Sequence, residues 1–136
     1  MHPCNFSEQF LISDYKREVL TRLLLEYVAG RIPVIVTISH YATQIAVERA
    51  QFAKDLGADI VMMMPPYHGA LLKGTAQQTF EQFSSVSEVG ITIMVQDATL
   101  SGVDLPTSLL VQTACEIEMV KLFKIECPGL QIRFEN

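Results

Sequence analysis

No cluster of basic residues, no long apolar run and no metal-spaced set of cysteines or histidines occurs in this chain, and each absence removes a class of function. Ten lysines and arginines are scattered among fifteen acidic residues, giving a net charge of −5. Gripping a phosphate backbone takes a basic stripe, so no nucleic acid partner is expected. The apolar stretches fall far short of the roughly 20 residues that cross a bilayer, so no membrane is expected either. Met1-His2-Pro3-Cys4-Asn5-Phe6-Ser7-Glu8 shows no basic segment followed by an apolar one, as a secretory signal would. The three cysteines, Cys4, Cys115 and Cys127, lack any C-x-x-C spacing. An odd, unspaced set is expected to stay reduced, which suits a cytoplasmic protein. With no metal-ligand spacing among His, Cys, Asp and Glu, a reaction without metal or cofactor is expected. What is present is a composition 49% hydrophobic and 18% charged over 136 residues, enough for one packed domain.

Hydrophobic periodicity divides the chain into alternating helices and strands. Ser13-Asp14 opens a helix in which Val19/Leu20, Leu23/Leu24 and Tyr27/Val28 recur at helical spacing, and Gly30 stops it. Ile32-Pro33-Val34-Ile35-Val36-Thr37-Ile38 is a β-branched run, the pattern of a strand covered on both faces. Thr43 is placed to cap a second helix, carrying Ile45, Arg49, Phe52 and Leu56 and ending at Gly57. Ile60-Val61-Met62-Met63-Met64 is a strand halted by Pro65-Pro66, and its methionines are expected to fill the core. A helix over residues 75–86 presents Phe80 and Phe83. It is followed by the strand Ile91-Thr92-Ile93-Met94-Val95 and a helix from Pro106 to about residue 117, with Cys115 expected in the core. The last strand is Val120-Lys121-Leu122-Phe123-Lys124-Ile125-Glu126, with Lys121 solvated.

Strand starts near residues 32, 60, 91 and 121 are roughly thirty residues apart, the length of one βα unit with its crossover. The fold class is therefore α/β with a parallel sheet of about four βα units. No glycine-rich fingerprint follows a strand, which disfavours a dinucleotide fold. The pattern leaves an open doubly wound sheet or part of a (β/α)₈ barrel, a fold that normally takes about 250 residues. Polar residues gather where strands end: Ser39-His40, Tyr67-His68, Gln96-Asp97 and Lys124/Glu126. Barrels keep their active sites at that end.

Lys124 is the most informative of these residues. A lysine inside an apolar strand needs a reason, because burying an ammonium is unfavourable. One reason is chemical: a lysine of lowered pKa attacks a carbonyl and forms a Schiff base. The other is a structural ion pair at a strand end. Side chains two apart share a strand face, so Lys124 and Glu126 should point together, opposite Phe123 and Ile125.

Five segments follow one another in the order and spacing of a known superfamily: Gly30-Arg31-Ile32-Pro33-Val34-Ile35, Leu56-Gly57-Ala58-Asp59, Pro65-Pro66-Tyr67, Ser101-Gly102-Val103-Asp104-Leu105 and Phe123-Lys124-Ile125-Glu126. From about residue 5 to 129 the chain resembles the dihydrodipicolinate synthase / N-acetylneuraminate lyase superfamily. Its members are class I (β/α)₈ enzymes that join a strand lysine to a 2-oxo acid. The resemblance implies that Lys124 is that lysine. It also implies that residues 1–136 form a single partial barrel domain without the family's first two strands and last two βα units. A part-barrel exposes sheet edges and an apolar inner face, so a homo-oligomer is expected.

The departures are informative too. The family's proton-relaying tyrosine falls on Val95, and the arginine of the same segment falls on Leu100. The carboxylate-binding loop corresponds to Cys4-Asn5-Phe6-Ser7-Glu8, where Asn5 and Ser7 remain able to donate to a substrate carboxylate. Tyr67 keeps the first tyrosine of the Pro-Tyr-Tyr motif and His68 replaces the second. The Val-Gln-Asp-Ala and Phe-Lys-Ile-Glu segments are similar to the branch that dehydrates 2-keto-3-deoxy-L-arabonate. The expected function is therefore a Schiff-base lyase acting on a 2-oxo sugar acid. Lys124 would be the nucleophile and Glu126 the base at C3, with Asn5, Ser7, Tyr67, His68, Gln96 and Asp97 binding substrate. An aldolase cleaving C3–C4 and a fragment acting only by association are the alternatives. For His68 and His40 the plain reading is a solvated loop histidine and a turn residue. For Asp97 it is a brace of the loop before Ser101-Gly102.

Overall fold

The computed structural model describes residues 11–68, 71–98, 102, 103 and 105–126. In chain order these form α1 (Asp14–Val28), β1 (Ile35–Thr37), α2 (Thr43–Asp55), β2 (Ile60–Met63), a hairpin of β3 (Tyr67–His68) and β4 (Leu72–Lys73), α3 (Ala76–Ser87), β5 (Thr92–Ala98), α4 (Thr107–Glu116) and β6 (Val120–Glu126). Strands β1, β2, β5 and β6 make one sheet in that order, and every neighbouring pair is parallel. Each long strand lies beside the next in the chain with a helix between them. That is the winding of a (β/α)₈ barrel, here a partial one, and not of a doubly wound sheet, whose order reverses.

The two faces of the sheet differ in chemistry. Val36, Ile38, Val61, Met63, Ile93 and Val95 point toward the helices and pack with Ala46, Ala50 and Ala53 of α2, Phe83 and Val86 of α3 and Leu109 of α4. On the other face, Thr37, Met62, Met94 and Leu122 share one register row across the four strands. The next row toward the strand ends carries Gln96 opposite Lys124. Ser39 Oγ accepts a hydrogen bond from the Met64 N–H and joins the ends of β1 and β2. At the opposite end Asp59 accepts from the Val34 N–H at 2.8 Å, which accounts for the acid in Leu56-Gly57-Ala58-Asp59. Gly57, with φ of +84°, makes the left-handed turn before it.

Local signals set most of the element ends. Ser13 caps α1, accepting from the Lys16 N–H, and Ala29 and Gly30 close it with positive φ. Thr75 and Gln78 form a reciprocal capping box at the start of α3. Thr43, expected as a cap, is instead the first residue of α2; His40 Nδ1 accepts from the Ala42 N–H beside it.

Several expectations are corrected. The first strand is confined to β1, and Ile32 is exposed. β5 continues through Gln96, Asp97 and Ala98, so these residues belong to the strand and not to the loop after it. Cys115 is exposed, because the buried side of α4 falls at Leu109 and Thr113. The hairpin β3–β4 was not anticipated, since its strands are too short to show a period. The strand carrying Lys124 is only partly buried beyond Val120. β6 ends the sheet, with no neighbour on its outer side among the described residues. The methionines behave as expected: Met62, Met63 and Met64 are all buried.

Candidate active site

Alternation along β6 turns Lys124 and Glu126 to the same face, and their side chains meet. Lys124 Nζ lies 3.1 Å from Glu126 Oε1, with the two side chains 38% and 28% exposed. The second carboxylate oxygen, Oε2, accepts a hydrogen bond from Gln96 Nε2 on the neighbouring strand. Gln96 is fully buried. Burial alone would push the Glu126 carboxyl up, but hydrogen bonds from Gln96 and Lys124 and the ammonium charge outweigh it, leaving it below its ordinary value. The result is an ionised carboxylate beside a primary amine, at the C-terminal ends of parallel strands. These are the parts needed to form an imine and then move a proton on the adjoining carbon.

Val95 has its side chain in the helix-side core, so nothing at that position reaches the lysine. Gln96 is the β5 residue that faces Lys124. Asp97, one residue on, falls on the opposite face and is fully buried, away from the lysine and glutamate. Asn5 and Ser7 lie outside the described residues.

Tyr67 and His68 line a cavity of about 270 Å³ at the ends of β1 and β2, together with Asp14, Arg17, His40 and Arg49. No residue of β5 or β6 lines it, so the cavity and the lysine–glutamate pair are distinct features of the same sheet end. Tyr67 is half-buried and its phenol is pushed up by burial, which keeps it protonated. His68 is exposed. His40 is lowered first by burial and then by the Arg49 charge, which favours neutral imidazole. Arg49 donates to the Ser39 carbonyl and to Asp14 Oδ1, each at 2.7 Å. The Arg49 hydrogen bond is the main reason that Asp14 sits below the usual carboxylate range. Gln82 Nε2 donates to the His40 and Tyr41 carbonyls, both at 3.2 Å, and braces the loop that forms this wall.

Sequence reasoning missed the Asp14–Arg49 pair and the Gln82 brace. Each joins residues more than thirty positions apart, and no local spacing announces them.

The comparisons with known proteins point to one family. Residues 3–124 match the dihydrodipicolinate synthetase family. The L-2-keto-3-deoxyarabonate dehydratase of Azospirillum brasilense is 56% identical over 126 residues, which is 92% of this chain and 41% of that protein. The 4-hydroxy-tetrahydrodipicolinate synthase of Alkaliphilus oremlandii is 32% identical over 78 residues, 57% of this chain and 27% of the synthase. The crystal structure of dihydrodipicolinate synthase from Aquifex aeolicus superposes with a TM-score of 0.86 at 25% identity, covering 96% of this chain and 44% of that one. The chain thus spans less than half the length of the relatives it matches.

Proposed function

Because the chain belongs to the dihydrodipicolinate synthetase family, we propose that β6 carries the Schiff-base site of a lyase that dehydrates a 2-oxo sugar acid, 2-keto-3-deoxy-L-arabonate. The observation that carries this reading is the placement of the Lys124 amine 3.1 Å from the Glu126 carboxylate at the C-terminal end of the sheet. The 56% identity to a dehydratase of that substrate supports it.

The chemistry follows from the two groups. Lys124 adds to the C2 carbonyl and one water leaves, giving an iminium. The cation draws electrons from C3, and Glu126 takes a C3 proton to leave an enamine. The enamine expels the C4 hydroxyl, which departs as water once protonated. A proton lost from C5 and one gained at C3 move the C3–C4 double bond to C4–C5, and the resulting enol becomes an aldehyde. Hydrolysis of the iminium returns the Lys124 amine, so the net change is loss of one water. Tyr67 holds a proton and is a candidate donor to the leaving hydroxyl, with His68 beside it. Asn5 and Ser7 are proposed to receive the substrate carboxylate. Gln96 and Asp97, expected to bind substrate, are left out of the binding site, because the Gln96 amide is taken up by Glu126 and Asp97 lies on the other face of β5.

On this reading the partner is a small 2-oxo acid, and copies of the chain associate. Tyr15, Leu23 and Tyr27 on the outside of α1 are exposed and apolar enough to support association. The reading assigns the protein to the cytoplasm, where the unpaired Cys115 thiol stays reduced.

The test is incubation of the protein with 2-keto-3-deoxy-L-arabonate and mass analysis of the products. A product lighter by one water, its formation reduced about 10²- to 10⁴-fold in Glu126→Gln, is expected for a C3 base. Pyruvate and a two-carbon aldehyde would instead identify an aldolase. A Glu126→Gln protein that dehydrates at the full rate would remove Glu126 from the mechanism.

A further inference from the structure

Gln96 is buried completely, yet its amide is aimed at a carboxylate at the rim of the sheet. A carboxylate only accepts hydrogen bonds, so the amide nitrogen must be the atom facing it. The register explains the reach. Ala98, the residue directly opposite Glu126, has only a methyl group, and Gln96, opposite Lys124, extends one step along the sheet past it. The carboxylate is therefore held at both oxygens, Oε2 by Gln96 and Oε1 by Lys124.

These two supports differ once substrate binds. Condensation with a ketone removes two protons from the lysine ammonium and puts a carbon on its nitrogen, so the contact with Oε1 cannot persist in its resting form. The amide of Gln96 takes no part in that change. We infer that Gln96 is a positioning residue: it anchors Glu126 by Oε2 through imine formation, so that Oε1, released by the lysine, turns to the C3 proton of the imine. The inference rests on the reading of Lys124 and Glu126 as amine and base.

The residue type fits this task. An arginine or lysine at position 96 would pair with the base and weaken it, and a carboxylate would repel it. A neutral donor fixes direction without taking the negative charge away. Removing that donor also leaves burial less opposed at Glu126, so its titration should move up.

The experiment compares the wild type with Gln96→Met, a side chain of the same length without a donor, and Gln96→Asn, which keeps a buried amide one methylene short. Pyruvate serves as the probe. Borohydride trapping reads imine formation at Lys124, deuterium exchange at C3 by proton NMR reads proton removal, and carbon-13 titration without pyruvate reads the Glu126 carboxyl. Both variants should trap pyruvate within about twofold of wild type, while C3 exchange falls by about tenfold or more, as for a displaced base. The Glu126 midpoint should rise in both, and the acid limb of the exchange profile with it. Unchanged exchange and an unmoved midpoint in Gln96→Met and Gln96→Asn would overturn the inference. If the wild type neither traps nor exchanges pyruvate, the Schiff-base reading fails. The titration still decides whether Gln96 holds the carboxylate: a raised midpoint supports it and an unmoved one refutes it.

Discussion

Replacing Lys124 by arginine separates charge from nucleophilicity. A guanidinium still pairs with Glu126, but it does not condense with a ketone at neutral pH. Lys124→Arg should therefore keep the folded spectrum while losing every imine adduct. Lys124→Ala should lose the adduct too and destabilise by no more than about 1 kcal/mol, since a pair this open to water contributes little. A denaturation curve beside a trapping assay checks both. At this scale the amine–carboxylate pair was legible because period-two alternation is a rule of strands. Gln96 was legible only as a polar residue near a strand end. Its alliance with Glu126 depends on which rows of β5 and β6 lie opposite, and no residue of either strand states that alone. The two-residue step that joins Lys124 to Glu126 leaves Ile125 on the other face, and Asp97 lies opposite it on β5.

Elements were readable wherever a cap or a period marked them. The capping box at Thr75 and Gln78 fixes the start of α3, and Thr75→Ala should lower stability by about 1 kcal/mol, seen as a reduced urea midpoint. Gln78 also loses its role there, so Gln78→Ala should share part of that loss and the double variant should fall short of the sum. The hairpin before α3 had no such mark. Gly74 shows what holds it: a Cβ there would lie 2.4 Å from Pro66 Cγ, and its N–H donates to the Pro66 carbonyl at 2.7 Å. Gly74→Ala must push the hairpin off Pro66. It should speed amide exchange at Tyr67, His68, Leu72 and Lys73 with little change in the sheet. Cys115 shows the limit of composition as a guide. An apolar helix buries one side only, and α4 turns Leu109 and Thr113 inward and leaves the thiol in water.

The whole molecule should be acid-sensitive, with a sign that follows from three groups. Asp14 and Glu126 are lowered from ordinary values of 3.8 and 4.5, and His40 from 6.5. For each, the unfolded chain binds its proton at a higher pH than the folded one does, so stability rises with pH across that interval. Stability should be full above pH 6.5, decline below it as His40 is charged in the unfolded chain, and fall again below pH 4.5 as the carboxylates follow. Urea midpoints measured through this range check it, and His40→Gln should remove the upper step alone. The order of the strands was legible at this scale from the roughly thirty-residue repeat. The half-open state of β6 was not, because burial of a strand depends on what lies beside it in the sheet.

The central claim is that Lys124 is an imine-forming lysine, and borohydride reduction in the presence of pyruvate tests it most directly. Intact mass followed by peptide mapping should find one reduced adduct, on Lys124, absent from Lys124→Arg. A folded protein that takes up no adduct, or one whose adducts are spread over its other lysines, would contradict the account.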